Sequence, residues 1–279
     1  MSLSVGSGYG PTYPQSIKLH RSTAQRLGLG KQKAPRAKAA RADNGEHAVD
    51  TELRWLKSYP SDVNWELAYT PEAIPALLDA AVTEFPDNPA IDFLGHKLTY
   101  SELDALVSRA ACGLQKLGVG PGVHVGLYLP NCPHYFIGFL GVLRAGGTVV
   151  NYSPLDAERT LEHKIEDSQT DIMLTLDLEA FYPRMASLMT RTRLRQLVVG
   201  SLVEFCGEVS DEQRHLLGKP AMVAWGDQCC SFAELLDNAG DYREHLLADP
   251  ANTLAVLQYT GGTTGVPKGA MLTHGNITA

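Results

Sequence analysis

The sequence predicts an α/β fold of layered, largely parallel sheets covered by helices. Short runs that are apolar throughout, rather than alternating with polar residues, indicate strands that are buried on both faces. Segments with a helical spacing of apolar residues lie between these runs, and this alternation is typical of parallel sheets. The predicted buried strands are residues 123–129, 148–152, 171–176, 196–200 and 254–257.

The first helix is predicted over residues 70–85. Thr70 can cap its start, Pro71 suits its first turn, and apolar residues follow at helical spacing. Two short strands are expected next, at residues 90–94 and 96–99, because a glycine separates two brief apolar segments.

Further helices are predicted between the later strands. Ser101 is the expected cap of the second helix. An apolar helix at residues 134–145 is interrupted by Arg144, so it is too short to span a bilayer, and its glycines suit close packing on a sheet. Another helix is expected over residues 157–168, with Glu162 and Asp167 facing solvent.

The most informative stretch is residues 258–270, which read QYTGGTTGVPKGA. Glycines let backbone N–H groups approach an anion, hydroxyls are short donors, and lysine adds a mobile positive charge. We predict a strand, a phosphate-binding loop, a second strand at residues 269–274, and a helix that starts near residues 273–276. Thr273 and His274 are interpreted as helix-entry residues rather than catalytic ones.

This loop differs from the common nucleotide-binding motif G-x-x-x-x-G-K-[ST]. Pro267 stands where the second glycine of that motif belongs, and Gly269 replaces the hydroxyl residue that holds magnesium there. A dinucleotide-binding G-x-G-x-x-G is also absent from the sequence. The stretch therefore indicates a phosphate loop of another kind.

Composition limits the classes of function. The chain has 279 residues, a formal net charge of −7 and 20% charged residues, which argues against a dedicated nucleic-acid binder. Residues 1–48 are basic and poor in apolar side chains, so a disordered tail is expected, with a lipid-surface arm or a transit peptide as alternatives. Five cysteines without metal spacing favour a reducing, cytoplasmic compartment. Peripheral membrane contact and oligomeric state are left open.

Residues 259–269, YTGGTTGVPKG, resemble the phosphate-loop signature of the adenylate-forming superfamily. That superfamily includes acyl-CoA synthetases, luciferases and the adenylation domains of peptide synthetases. Other segments resemble the family in the same order along the chain, and their wording is most similar to long-chain fatty acid–CoA ligases. They are KLTYSEL at 97–103, GVLRAGGTVVNYSPL at 141–155, LEHKIEDS at 161–168 and CSFAELL at 230–236.

The resemblance covers residues 49–279 and implies a partial AMP-binding domain, the N-terminal portion of such an enzyme, truncated after the phosphate loop. In the family, this loop closes over the β- and γ-phosphates of ATP. The residues that this resemblance implies to bind the nucleotide are Thr260, Gly261, Gly262, Thr263, Thr264, Gly265, Lys268 and Gly269.

The parent reaction implied by the resemblance has two steps. A fatty acid carboxylate attacks the α-phosphate of ATP to give acyl-AMP and pyrophosphate, and the thiol of CoA then displaces AMP. The glutamate that binds Mg²⁺ and the lysine that drives adenylation belong to family segments that follow the phosphate loop. No catalytic or metal-binding residue is therefore assigned, and the 279 residues alone are expected to be inactive.

Two other hypotheses stay open at this point. One keeps the superfamily and changes the substrate, giving an enzyme that adenylates an amino acid or an aryl acid. The other treats the chain as a non-catalytic truncated fragment or interaction module.

Overall fold

The computed structural model describes residues 58–60, 63, 68–208, 210, 217–260 and 265–279. The chain divides into two units, residues 1–64 and 65–279. In the first unit the backbone N–H of Val63 donates to the carbonyl of Pro60 at 3.1 Å. The tail predicted at residues 1–48 lies outside the described residues.

The second unit alternates short strands and helices. Its strands are β1 (Pro89–Phe93), β2 (His96–Thr99), β3 (His124–Leu127), β4 (Thr148–Asn151), β5 (Thr170–Leu176), β6 (Gln196–Gly200), β7 (Cys229–Ser231), β8 (Leu254–Thr260) and β9 (Lys268–Thr273). Its helices are α1 (Ile74–Glu84), α2 (Tyr100–Lys116), α3 (Pro133–Arg144), α4 (Glu158–Asp167), α5 (Tyr182–Met189), α6 (Phe232–Leu236) and α7 (His274–Thr278), with a 3-10 helix at Leu202–Phe205.

Strands β3 to β9 form one sheet in the order β7-β6-β5-β3-β4-β8-β9. Every neighbouring pair in it is parallel except β8 and β9, which are antiparallel. Strands β1 and β2 pair separately as an antiparallel hairpin. The predicted α/β fold with a largely parallel sheet is therefore confirmed.

Helices cover both faces of this sheet. One core layer contains buried residues of α1, α2, α3 and α6, and the second contains buried residues of α4 and α5. Close packing at α3 depends on its glycines, as predicted. A Cβ on Gly138 would lie 2.6 Å from a methyl carbon of Leu174 in β5, and one on Gly141 would lie 2.8 Å from Cβ of Ala110 in α2.

The charged residue that interrupts the apolar stretch of α3 is buried and paired. Arg144 has a side chain that is 5% exposed, and its guanidinium lies 2.6 Å from Asp79 Oδ1 in α1 and 2.7 Å from Asp104 Oδ1 in α2. The arginine therefore joins three helices on one face of the sheet. Among the described residues, no helix is long and apolar enough to cross a membrane.

Two predicted helix starts are wrong. Helix α1 begins at Ile74, and its N-cap is Ala73 rather than Thr70. The first helical N–H finds its partner far away in the sequence, because Ile74 N donates to Nδ1 of His274 at 3.1 Å. His274 thus accepts a hydrogen bond from the start of α1, a role that the sequence pattern had assigned to Thr70.

Helix α2 begins at Tyr100, directly after strand β2, and Ser101 lies inside it. Its cap is Thr99, whose hydroxyl accepts from the backbone N–H of Glu102 while the Glu102 carboxylate accepts from Thr99. This reciprocal pair satisfies two free donors of the first turn. Helix α5 was not predicted from the sequence at all.

The start of α7 matches the prediction that Thr273 and His274 form a helix entry. Thr273 is the N-cap, and its hydroxyl accepts from the backbone N–H of Asn276 at 3.1 Å. His274 is only 2% exposed, and its backbone N–H donates to Thr253. Because His274 also accepts from the first N–H of α1, it connects the end of β9 to the start of the first helix.

The buried imidazole of His274 predicts a pH dependence of stability. Burial lowers the pKa of His274 below its ordinary value of 6.5, and a protonated Nδ1 cannot accept from Ile74. The unfolded chain takes up this proton more readily than the folded chain. This contribution to stability is therefore complete above pH 6.5 and is lost as the pH falls towards the folded pKa.

The test compares the chain with His274→Asn, whose side-chain oxygen can accept in place of Nδ1 but cannot titrate. Urea unfolding at about pH 7.5 and about pH 5.5 should show a larger loss of unfolding free energy in the parent chain than in the variant. An equal loss in the two proteins would contradict the prediction.

Candidate functional site

The predicted strand–loop–strand is a β-hairpin formed by β8 and β9. The register pairs Tyr259 with Gly269 and Thr260 with Lys268, so this last pair closes the base of the connecting loop. The next four predicted site residues, Gly261, Gly262, Thr263 and Thr264, lie outside the described residues. Gly265 is described, and its φ of +87° is a left-handed conformation that favours glycine.

The base of the hairpin loop, Thr260 and Lys268, lies at the carboxyl edge of the parallel sheet. Strand β8 runs parallel to β4, with Val150 opposite Leu257 and Asn151 opposite Gln258. Because β3, β4, β5 and β6 run the same way, their carboxyl ends share this edge with Thr260. Ligands of open α/β sheets bind at the carboxyl ends of the strands. The base of the loop is therefore placed where such a sheet presents a ligand site.

The structure brings two of the predicted ligand side chains together. Thr260 and Lys268 are both exposed and stand directly opposite each other. Cβ atoms in such cross-strand pairs are about 4.5–5.5 Å apart, so a hydroxyl and an ammonium group share one small surface. Within the described part of the chain, Lys268 makes no ion pair, so its charge is available to an anion.

The glycine at position 269 has a packing reason that the sequence did not reveal. A Cβ on Gly269 would lie 3.2 Å from Cζ of Tyr259, the residue opposite it in the hairpin. The tyrosine ring thus covers the backbone of Gly269, and a larger residue would have to displace it. Tyr259 itself is a buried residue of β8, with 7% exposure.

One face of the hairpin base continues into a chain of polar side chains. Gln258 lies on the same face of β8 as Thr260, two residues away. Asn151 Nδ2 donates to Gln258 Oε1 at 2.8 Å, and Tyr135 Oη donates to Asn151 Oδ1 at 3.1 Å. Sequence analysis did not identify this contact, because its side chains come from three different elements that only the fold brings together.

The opposite face of β8 contacts helix α4. The hydroxyl of Tyr259 donates to Asp167 Oδ2 at 2.5 Å, and Nζ of Lys164 lies 5.3 Å from the centre of the Tyr259 ring. Burial, together with the hydrogen bond to Asp167, raises the pKa of Tyr259 well above its usual range. The hydroxyl therefore stays protonated and donating at neutral pH. Asp167 is exposed as predicted, but it also holds this strand.

A further cation lies at the carboxyl edge of the sheet. Arg184, an exposed residue of α5, places Nη1 3.4 Å from Tyr128 Oη and 3.3 Å from the carbonyl of Pro154. Tyr128 follows β3, and Pro154 follows β4 shortly after that strand ends. The sequence offered no signal for this arginine, because its place at the edge depends on the crossover from β5 to β6.

The hairpin base offers the chemistry of an anion site. Its exposed groups are a hydroxyl, an ammonium group and a strand-end backbone, all of which can donate to phosphate oxygens. Among the described residues, no group of three or more His, Cys, Asp or Glu side chains is arranged to hold a metal ion. The magnesium ligand implied by the resemblance is accordingly not assigned to any of these residues.

Comparison with known proteins gives relatives for this arrangement. The family model described as AMP-binding enzyme matches residues 78–279. A long-chain-fatty-acid–CoA ligase of Bacillus subtilis (strain 168) is 35% identical over 235 residues, which cover 83% of this chain and 42% of that protein. Syringomycin synthase SyrB1 of Pseudomonas syringae pv. syringae is 33% identical over 194 residues, which cover 70% of this chain and 25% of that protein.

A solved structure supports the same relationship. The crystal structure of a long-chain-fatty-acid–CoA ligase from Archaeoglobus fulgidus aligns with a TM-score of 0.58 and 27% identity, covering 75% of this chain and 38% of that one. The chain thus spans about two fifths of the length of the curated ligases that it matches. The match to the family model takes in most of this chain, and the hairpin lies in a largely parallel sheet. This chain therefore belongs to the family of AMP-binding enzymes.

Proposed function

We propose that the protein containing this chain activates a long-chain fatty acid with ATP and transfers the acyl group to CoA. The carboxylate oxygen attacks the α-phosphorus of ATP, a new acyl–phosphate bond forms, and pyrophosphate leaves. The CoA thiol then attacks the acyl carbon, and AMP leaves with the bonding electron pair. Both steps depend mainly on positioning and on neutralising phosphate charge.

The hairpin base is the observation that supports this proposal most directly. Thr260 and Lys268 stand exposed and opposite each other at the point where a glycine-rich loop leaves the sheet. A charge-assisted hydrogen bond to a phosphate oxygen contributes about 1.5–3 kcal/mol. In this role the residues bind the β- and γ-phosphates, and the proposed ligands are Thr260, Gly261, Gly262, Thr263, Thr264, Gly265, Lys268 and Gly269.

The choice of a long-chain fatty acid is supported by the names of the matched relatives. The first seven curated relatives, all from bacteria, are named long-chain-fatty-acid–CoA ligases, and each is 33–35% identical to this chain. The similarity to a syringomycin synthase supports a second candidate, in which the acid is an amino acid or an aryl acid. A bound Mg²⁺ would share the neutralisation of phosphate charge in either case.

Pyrophosphate exchange separates the two candidate substrates. The assay follows radioactive pyrophosphate into ATP, which requires reversible acyl-AMP formation and no CoA. In the complete enzyme, in which this chain is joined to the remaining length of its relatives, palmitate should support exchange while amino acids and benzoate should not. Exchange with amino acids or benzoate alone would contradict the fatty acid assignment and favour the second candidate.

The role of Lys268 predicts an unequal effect on the two half-reactions. Lys268→Ala removes a positive charge beside the leaving pyrophosphate, so adenylation by the complete enzyme should fall by about 10- to 1000-fold, at about 1.4 kcal/mol per tenfold. Thioester formation from supplied acyl-AMP should change much less, because pyrophosphate has already left. Both half-reactions are measured in parallel as single-turnover rates.

Lys97→Ala provides the matched control for this experiment. Lys97 is also an exposed strand lysine, with a side chain that is 63% exposed, but it lies in β2 beside Asp92. We expect this variant to keep both half-reactions near the parent rates. Equal losses in both half-reactions of Lys268→Ala would mean that Lys268 supports the fold or the acyl site instead of the phosphates.

A further inference from the structure

The buried residue next to the loop on its β8 arm is Tyr259. Along β8 the side chains alternate, so Gln258 and Thr260 are exposed on one face while Leu257 and Tyr259 are buried on the other. Tyr259 is therefore one peptide bond away from the first proposed phosphate ligand, yet it points away from the ligand face. Contacts that fix the Tyr259 side chain therefore also restrict the orientation of Thr260, the next residue and the last of β8.

The partner that holds the Tyr259 hydroxyl is an aspartate in an unfavourable place for its helix. Asp167 is the last residue of α4, and a negative charge there faces the negative end of the helix dipole. Helix stability thus gives no reason for an acidic residue at this position. Its contact with Tyr259, at 2.5 Å between Oη and Oδ2, does give one.

The Tyr259 ring also has a cation over one face, the ammonium group of Lys164. Lys164 has a side chain that is 6% exposed, its Nζ lies 2.5 Å from Asp156 Oδ2, and the same atom lies 5.3 Å from the centre of the Tyr259 ring. Lysines are almost never this buried unless they are paired. An ammonium group over a ring attracts it, and the attraction grows as water is excluded. The ring in turn covers Gly269 of the other arm.

We propose that Tyr259, held by Asp167 and Lys164 of α4, is a positioning residue that sets the direction in which the hairpin presents Thr260 and Lys268 to the phosphates of ATP. This inference rests on the proposed function. One side chain contacts both arms of the hairpin and the helix behind it. A loop base that is held before the ligand arrives loses less conformational freedom when the ligand binds.

The test compares Tyr259→Phe with Tyr182→Phe in the complete enzyme. Tyr182 is a matched control because it is also 7% exposed and belongs to the same core layer. Its hydroxyl accepts a hydrogen bond from the backbone N–H of Ala224 at 2.9 Å, but it lies in α5, away from the hairpin. Both variants keep the ring and delete only a hydroxyl, so both should fold.

We expect the two variants to lose similar thermal stability but to differ in ATP binding. Tyr259→Phe should raise the Kd of ATP, measured by calorimetry without fatty acid, and the KM for ATP by about 10- to 150-fold, the range of one hydrogen bond to a charged group. The KM for the fatty acid should stay unchanged. Tyr182→Phe should leave both constants for ATP near the parent values.

Variants at Asp167 separate the hydrogen bond from a general effect on α4. Asp167→Asn keeps an oxygen that can accept from Tyr259, whereas Asp167→Ala does not. We expect the ATP constants of Asp167→Asn to lie nearer the parent values than those of Asp167→Ala. Combining Asp167→Ala with Tyr259→Phe should add little to the larger single effect, since both remove the same contact.

The possible results distinguish this inference from the proposed function. If Tyr259→Phe matches Tyr182→Phe in its ATP constants while Lys268→Ala still impairs adenylation, the positioning role is overturned and the phosphate site stands. If Lys268→Ala impairs neither ATP binding nor adenylation, the phosphate site and the positioning role fall together. A rise in the KM for the fatty acid equal to that for ATP would also overturn the positioning role, because it would show a general loss of structure.

Discussion

The site depends on the pairing of β8 with β4 in the sheet. The side chains of Asn151 and Gln258, which are 107 residues apart in sequence, lie opposite each other and are hydrogen bonded. This pairing brings the glycine-rich loop to the carboxyl edge, where the earlier parallel strands also end. A slip of one residue would turn Thr260 towards the core and Tyr259 towards solvent, because strand side chains alternate. Register is therefore the constraint on which the proposed phosphate site depends.

The two faces of the hairpin base present different side chains, because side chains alternate between the faces along each strand. The exposed face presents Thr260 and Lys268, while the buried face places Tyr259 against α4. In the proposed function the loop binds a nucleotide, and its base is a suitable place for fixed contacts. The buried ammonium group of Lys164, paired with Asp156, is one of these fixed contacts, because it lies over the Tyr259 ring.

Helix starts were predicted correctly at α7, missed by two residues at α2, where Thr99 rather than Ser101 is the cap, and wrong at α1, where a distant residue satisfies the first helical N–H. Thr273 was expected at a helix entry and is the cap of α7, because its partner Asn276 is three residues away. Thr70 is not the cap of α1, because His274 accepts from the first helical N–H across 200 residues. Helix α5 spans only eight residues and was not predicted.

The sequence by itself determined the α/β class, the positions of the buried strands along the chain and the strand–loop–strand around residues 258–270. Each of these follows from short-range patterns of apolar residues and glycine. It also determined the resemblance to the family, which the matched relatives bear out. Only the tertiary structure decided that Thr260 faces Lys268 and that Tyr259 reaches Asp167. Those contacts depend on the register between strands and on the packing of a helix, and neither is encoded in any one stretch of the chain.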